Sequence, residues 1–277
     1  MIKCLTLKLH FRGMEGDLRL ALEEKCRTLD IPMMGVADAD AWDEPPFRPF
    51  VSDDSHPKAI MPSARSVVVI GIPLPMPAID SAPSIWYAET YRTVNQLLDQ
   101  STYRLSLFLE SKGHAAAFVP RDGYAGLEAL RKDPSSFFSH RHAALLAGLG
   151  TFGVNNTVLT REYGPRVRFA SLFTDALIDH DEPIEEELCI ECGLCQKKCP
   201  VNAIGGGTYP DDIIDKSACT ERTAILNDKG ISPCGMCVRV CPVGEDRKRW
   251  GNKKVSIYTE KGDWTDRWDK IRSHGMR

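Results

Sequence analysis

An α+β body followed by a small cysteine-rich module is the fold class that this 277-residue chain predicts, on three observations. Helix-like and strand-like patterns alternate through the first 180 residues, as in a mixed body. Eight of the ten cysteines fall between residues 189 and 241. The length exceeds a usual single domain of about 100–150 residues, so one large unit and one small unit are expected. The boundaries read as a body over 1–180, a cysteine module over 181–250 and a basic tail over 251–277, with an acidic stretch at 179–187 marking the junction.

Each element has its own signal. Leu18, Leu20, Ala21, Leu22, Cys26 and Leu29 suit an amphipathic helix over 15–29, which Pro32 ends. Residues 33–37 form a short apolar run with Gly35, read as a buried strand, and 38–56 reads as an ordered loop. The uncharged, β-branched segment 66–72 predicts a strand central in a sheet covered on both faces. Tyr87, Tyr91, Val94, Leu98, Leu105 and Phe108 recur on one stripe of a long helix over 84–112, closed by Gly113. Residues 115–119 and 167–174 read as strands and 139–146 as a helix. The connection 120–139 has few regular signals, a length that usually means function or mobility.

Charge and composition exclude some classes. A formal net charge of −3 argues against a general polyanion binder. No segment approaches the ~18 consecutive apolar residues of a membrane helix, and the N-terminus lacks the pattern of an export signal. Cys26, on the first helix, reads as a small buried hydrophobe, and Cys4 stands apart from the other cysteines.

The cysteines carry the strongest signal. The first run is Cys189-x-x-Cys192-x-x-Cys195-x-x-x-Cys199-Pro200; Cys219 follows, then Cys234-x-x-Cys237-x-x-x-Cys241-Pro242. Three thiolates at three-residue steps wrap one iron–sulfur cube, and the fourth, followed by proline, leads to a second cube. On that logic the first 4Fe–4S cluster takes Cys189, Cys192, Cys195 and Cys241. The second takes Cys199, Cys219, Cys234 and Cys237. Cys219 is separated from Cys234 by fourteen residues instead of two, so a loop is inserted in the second run. Zinc or disulfides are the alternatives, but the spacing and the Cys-Pro endings favour iron–sulfur. Thiols kept as ligands need a reducing compartment, so the cytoplasm is expected.

Gly148-Leu149-Gly150-Thr151-Phe152-Gly153 matches G-x-G-x-x-G. A dinucleotide site needs that turn between a strand and a helix, whereas here helix-like sequence precedes it and extended sequence follows. The motif is rejected.

The same glycines carry a resemblance. The stretch from Ser139-His140-Arg141-His142 through Ala147-Gly148-Leu149-Gly150-Thr151-Phe152-Gly153, continuing by Asn155, Asn156 and Glu162-Tyr163-Gly164-Pro165-Arg166-Val167-Arg168 to Thr174-Asp175, resembles the core of epoxyqueuosine reductases and corrinoid reductive dehalogenases. In that superfamily such a segment precedes a double-cluster ferredoxin module whose second run has a displaced first ligand, as Cys219 is here. The resemblance spans 139–245 and extends faintly to 33–37 and 60–72.

It implies a nitroreductase-like α/β body with a C-terminal two-cluster ferredoxin-like domain. It implies cobalamin bound with its lower base detached, and a proximal cluster passing electrons to cobalt to make cob(I)alamin. The chain between Ala147 and Asn156 is then expected against the corrin, with Gly148, Gly150 and Gly153 admitting a close approach and Asn155 or Asn156 bonding its amide side chains. The alternative is that these glycines only make a tight helix-to-strand turn. Flavin is the alternative cofactor, since the nitroreductase-like scaffold resembles flavin binders.

The chain also departs from the superfamily. Epoxyqueuosine reductases carry a D-S-A-P segment whose aspartate donates a proton; here Pro120-Arg121-Asp122-Gly123 follows the strand, and no acid matches that position. Their C-terminal helical repeats, which help hold tRNA, have no counterpart, so tRNA is disfavoured as a partner. Asp54-Ser55-His56-Pro57-Lys58-Ala59 lacks the glycine of a D-x-H-x-x-G cobalamin motif.

A reductase needs a proton donor near its metal face. Tyr124, His140 and His142 are the candidates, with Asp122 and Tyr87 behind them. His140 and His142 are two apart, so at most one is expected to face a pocket. Arg166 and Arg168 share a strand face and either grip an anion or are solvated. The basic segment 247–254 reads as surface, or as a docking site for an acidic donor. The function expected is an iron–sulfur oxidoreductase passing single electrons to a corrinoid and reducing a small substrate. The electron donor expected is of the ferredoxin or flavodoxin type, and no membrane partner is expected. The alternatives are an activation protein that reduces a partner's corrinoid or flavin centre, and a tRNA epoxyqueuosine reductase.

Overall fold

The computed structural model describes residues 15–43, 51–124, 126–207, 209–210 and 212–249. Cys4, part of the loop before His56 and the tail from Trp250 lie outside the described residues. In chain order the elements are α1 (Glu15–Thr28), β1 (Met33–Asp38), α2 (Pro57–Ile60), β2 (Ser66–Pro73), α3 (Met76–Asp80), α4 (Ile85–Ser111), β3 (Ala116–Val119), α5 (Leu127–Lys132), α6 (His140–Leu146), β4 (Thr151–Phe152), β5 (Val158–Leu159), β6 (Val167–Thr174), α7 (Leu194–Lys198), α8 (Lys216–Asn227), α9 (Met236–Val240) and α10 (Glu245–Arg249).

Four strands form one sheet in the order β1-β2-β6-β3, every pair antiparallel. The expected centrality of β2 holds, and its alternation shows why. Val68 and Ile70 enter the core under α1 and α4, with Leu22, Leu98, Leu105 and Leu109. Val67 and Val69 enter the opposite core, with Phe138, Phe173 and the alanines of α6. A strand buried on both faces can be apolar at every position. Ser84 caps α4, its hydroxyl accepting from Tyr87 N at 3.0 Å. Cys26 is buried as expected, and burial pushes its thiol up to about 12.

The irregular connection after β3 is corrected in one respect: it contains α5, a six-residue helix whose half-buried Leu127 and Leu130 are too few to set a period in the sequence. The acidic stretch at the junction is anchored to the body. Asp181 accepts from Val36 N at 2.7 Å and from both terminal nitrogens of Arg19, at 3.0 and 3.1 Å. The basic segment is corrected too, because Arg247 is buried and pairs with the buried Asp80 at 2.7 Å. Among the described residues no helix is long and apolar enough to cross a membrane.

Candidate functional site

The two cysteine runs fold alike. Gly193, after Cys192, and Gly235, after Cys234, take left-handed conformations at φ +67° and +66°. Each begins a five-residue helix, α7 or α9, that ends on an extended cysteine, Cys199 or Cys241. A Cβ is penalised at such φ, which explains the glycines. The nine described cysteines are all free. Cys189, Cys192, Cys195 and Cys241 line one small cavity of about 20 Å³, with Asn155 and Leu159 in its wall. Cys219 lies within electrostatic reach of Cys234 and Cys199, and Cys237 within reach of Cys219, Cys234 and, from the first group, Cys195.

Burial pushes the Cys241 thiol up to about 11 and the Cys237 thiol upward. As thiolates these groups therefore call for compensating positive charge beside them. Among the described residues no three His, Cys, Asp or Glu side chains converge to hold a single metal ion. The first group instead rings a space.

A second, larger cavity of about 450 Å³ opens in the body. The start of α6, the connection after β3, Val51 and Ser55, Tyr91, Arg168 and Lys216 of α8 wall it. Arg121, Arg141, Arg168 and Lys216 bring positive charge to the lining, and Asp122 is its one carboxylate among the described residues. Asp122 accepts from Arg168 Nη2 at 3.3 Å and pairs with Arg121 at 3.6 Å. Arg168 lies over the Tyr91 ring, 4.4 Å from its centre.

The candidate donors divide. Tyr124 lines this cavity, and burial, then the Asp122 charge, pushes its phenol up to about 12, so it keeps its proton at neutral pH. His140 and His142 both line it, which corrects the expectation of one. They sit in the first turn of α6, so a cavity wrapping that end reaches two successive sides. His140 donates from Nε2 to Pro120 O at 3.0 Å and accepts at Nδ1 from Ser171 Oγ at 3.0 Å; the carbonyl fixes the tautomer. Burial lowers its pKa to about 4. Asp122 supplies an acid just beyond β3 although the D-S-A-P segment is lacking. Tyr87 does not line the cavity. It is buried against the second cysteine run, where a Cβ on Gly235 would come within 2.5 Å of its ring, and its ring centre lies 6.1 Å from that of Tyr91.

The expected cofactor turn is corrected in its packing. None of Gly148, Gly150, Gly153, Asn155 or Asn156 lines the large cavity. A Cβ on Gly148 would fall 2.5 Å from Glu182 O, and one on Gly150 would fall 2.1 Å from Leu159 O. At Gly153 the Leu159 side chain is 3.0 Å away. The room these glycines leave is filled by the protein itself. Asn155 accepts from Thr157 Oγ1 at 2.7 Å, and Asn156 holds the loop between Cys199 and Cys219 through Asp212 O and Ile214 N, at 3.3 and 3.0 Å. The reverse context expected around the glycines, helix before and strand after, is observed. Arg166 leaves the strand face for the cysteine module, where Asp246 and Cys241 O receive it; Arg168 alone reaches the cavity. Sequence reasoning missed Lys216, at the start of α8, and Tyr209, on the loop before it, with no local motif to mark them.

Fold and paired cysteine runs together define an iron–sulfur redox protein. The family model for a 4Fe-4S binding domain matches residues 182–205. The homologues are reductases of two kinds. A tetrachloroethene reductive dehalogenase of Dehalobacter restrictus is 28% identical over 212 residues, 71% of this chain and 36% of the relative. An epoxyqueuosine reductase of Bacillus subtilis is 23% identical over 265 residues, 83% of this chain and 64% of the relative. The chain thus spans little more than a third of the dehalogenase's length. A solved reductive dehalogenase, described as suggesting a mechanism for B12-dependent dehalogenation, superposes with TM-score 0.66 at 22% identity, covering 97% of this chain and 37% of that one. A solved epoxyqueuosine reductase gives TM-score 0.58 at 19% identity, covering 93% and 77%. The body plus ferredoxin-type module is therefore the fold of both groups.

Proposed function

We propose that the chain is a cytoplasmic iron–sulfur reductase that carries two 4Fe–4S clusters and uses a corrinoid in the large cavity to reduce a small substrate. The observation that carries the reading is the adjacency of the second cysteine group to that cavity. Arg141 lines the cavity and is within electrostatic reach of Cys219. Tyr87 packs on the second run and neighbours Tyr91 in the cavity wall. The ligand sets are Cys189, Cys192, Cys195 and Cys241, and Cys199, Cys219, Cys234 and Cys237. Exposed Cys192 marks the side where a ferredoxin- or flavodoxin-type donor delivers electrons.

At about 450 Å³ the cavity falls within the roughly 300–1,000 Å³ range of small-molecule clefts. Bound there, a corrinoid supplies a strongly reducing metal centre. Tyr91, Tyr124 and the connection after β3 would hold it. The chain's own contribution is electrostatic and protonic: Arg121, Arg141, Arg168 and Lys216 favour an occupant with an anionic group, and Tyr124 holds a proton at the cavity. The test is titration of hydroxocobalamin into the anaerobically reconstituted protein, followed by absorbance. Stoichiometric binding with the base-off spectral change is expected; uptake of flavin with no response to cobalamin would overturn the corrinoid assignment.

A further inference from the structure

We propose that Tyr209, His142 and Ser139 form a proton relay from the loop between Cys199 and Cys219 into the large cavity. Its use in reduction rests on the function proposed above. The relay itself stands on geometry.

Tyr209 lies on the loop between Cys199 and Cys219 that links the two cysteine runs. It is half-buried, and its ring stacks near Phe152, with centres 4.6 Å apart. Its hydroxyl is 2.7 Å from His142 Nε2, and His142 Nδ1 is 2.6 Å from Ser139 Oγ. Ser139 and His142 both line the cavity. Three groups able both to donate and to accept thus run in line from the half-exposed phenol to the cavity wall. His140 provides the contrast, because a backbone carbonyl locks one of its nitrogens as a permanent donor.

Burial, with the positive charges of Arg141 and Lys216, lowers the His142 pKa to about 3. The ring is therefore neutral at physiological pH and conducts by exchanging tautomers instead of storing charge. In one passage Ser139 Oγ–H gives its proton to the group being reduced. His142 Nδ1–H reprotonates Ser139, Tyr209 Oη–H reprotonates Nε2, and water restores Tyr209. One proton moves from solvent to the cavity, the electrons arrive from the iron–sulfur side, and the imidazole ends in its other tautomer. The connection between the two cysteine runs then has a purpose: it carries a phenol to His142 at the cavity wall.

The experiment is nitrogen-15 NMR of histidine-labelled full-length protein reconstituted with iron and sulfide, reading tautomer and ring-proton exchange with deuterium oxide. His142 is expected as the Nδ1–H tautomer at rest. Tyr209→Phe keeps the ring stack, and it should slow exchange of the His142 ring proton by at least about tenfold, the order of one lost hydrogen bond. Ser139→Thr, which keeps the hydroxyl, should retain the wild-type rate, and His140 exchange in each variant reports that the fold is intact. An unchanged His142 rate in Tyr209→Phe, or a resting Nε2–H tautomer, overturns the relay. Neither readout depends on corrinoid binding, so failure of the cofactor assignment would leave this result standing.

Discussion

Asp246 receives Arg166 through two parallel hydrogen bonds, Nε to Oδ2 and Nη2 to Oδ1, each 2.7 Å long. The guanidinium is fully buried, and its Nη1 also donates to Cys241 O at 3.0 Å. One side chain of the body therefore fixes the last cysteine of the second run. Asp246→Ala leaves a buried cation without its counter-charge, which costs about 3–5 kcal/mol. Denaturation midpoints should fall accordingly, and the cluster at Cys241 should be lost before the other.

Gly150 distinguishes two sites for the cofactor. Because a Cβ there would stand 2.1 Å from Leu159 O, Gly150→Ala should destabilise the fold by about 2 kcal/mol or more through overpacking. Tyr124→Ala should instead leave the melting temperature nearly unchanged and weaken cobalamin binding. The reverse pattern would return the cofactor to the glycine turn.

His140 sets a pH dependence. Its folded pKa, about 4, lies below the ordinary 6.5, so the unfolded chain binds the proton more readily as pH falls. The stability this provides is complete above pH 6.5 and declines toward pH 4. Between pH 6.5 and 5 the loss from this residue is about 2 kcal/mol. Urea denaturation of His140→Asn against wild type should show the slope reduced by that amount.

The sequence made the sheet and the long helix legible because their signals are local. Val67 to Ile70 is apolar at every position, and Tyr87, Val94, Leu98 and Leu105 share one stripe between a capping Ser84 and Gly113. The cysteine spacing likewise needs no distant partner. What was illegible depends on distant chain. Gly148 and Gly150 look alike whether they face a cofactor or Glu182 and Leu159, and only packing decides. Arg247 reads as surface in a basic run, yet Asp80, far away in sequence, buries it. Tyr209 in a glycine-rich loop gave no sign that it would meet His142.

Cys219 stands on α8, apart from the rest of the second run, so Cys219→Ala should remove one cluster and spare the other. Iron should fall from about eight to about four per chain, the content of one cube instead of two. Electron paramagnetic resonance of the reduced variant should lose the interaction between clusters.

The central claim is that electrons reach the cavity through the second cysteine group. Its most direct test mixes anaerobically reduced protein with bound cobalamin and follows corrinoid reduction by stopped-flow absorbance, in wild type and in Cys219→Ala. The account predicts rapid reduction in wild type, and in the variant cobalamin that is bound but stays oxidised. Equally fast reduction in both proteins would contradict it.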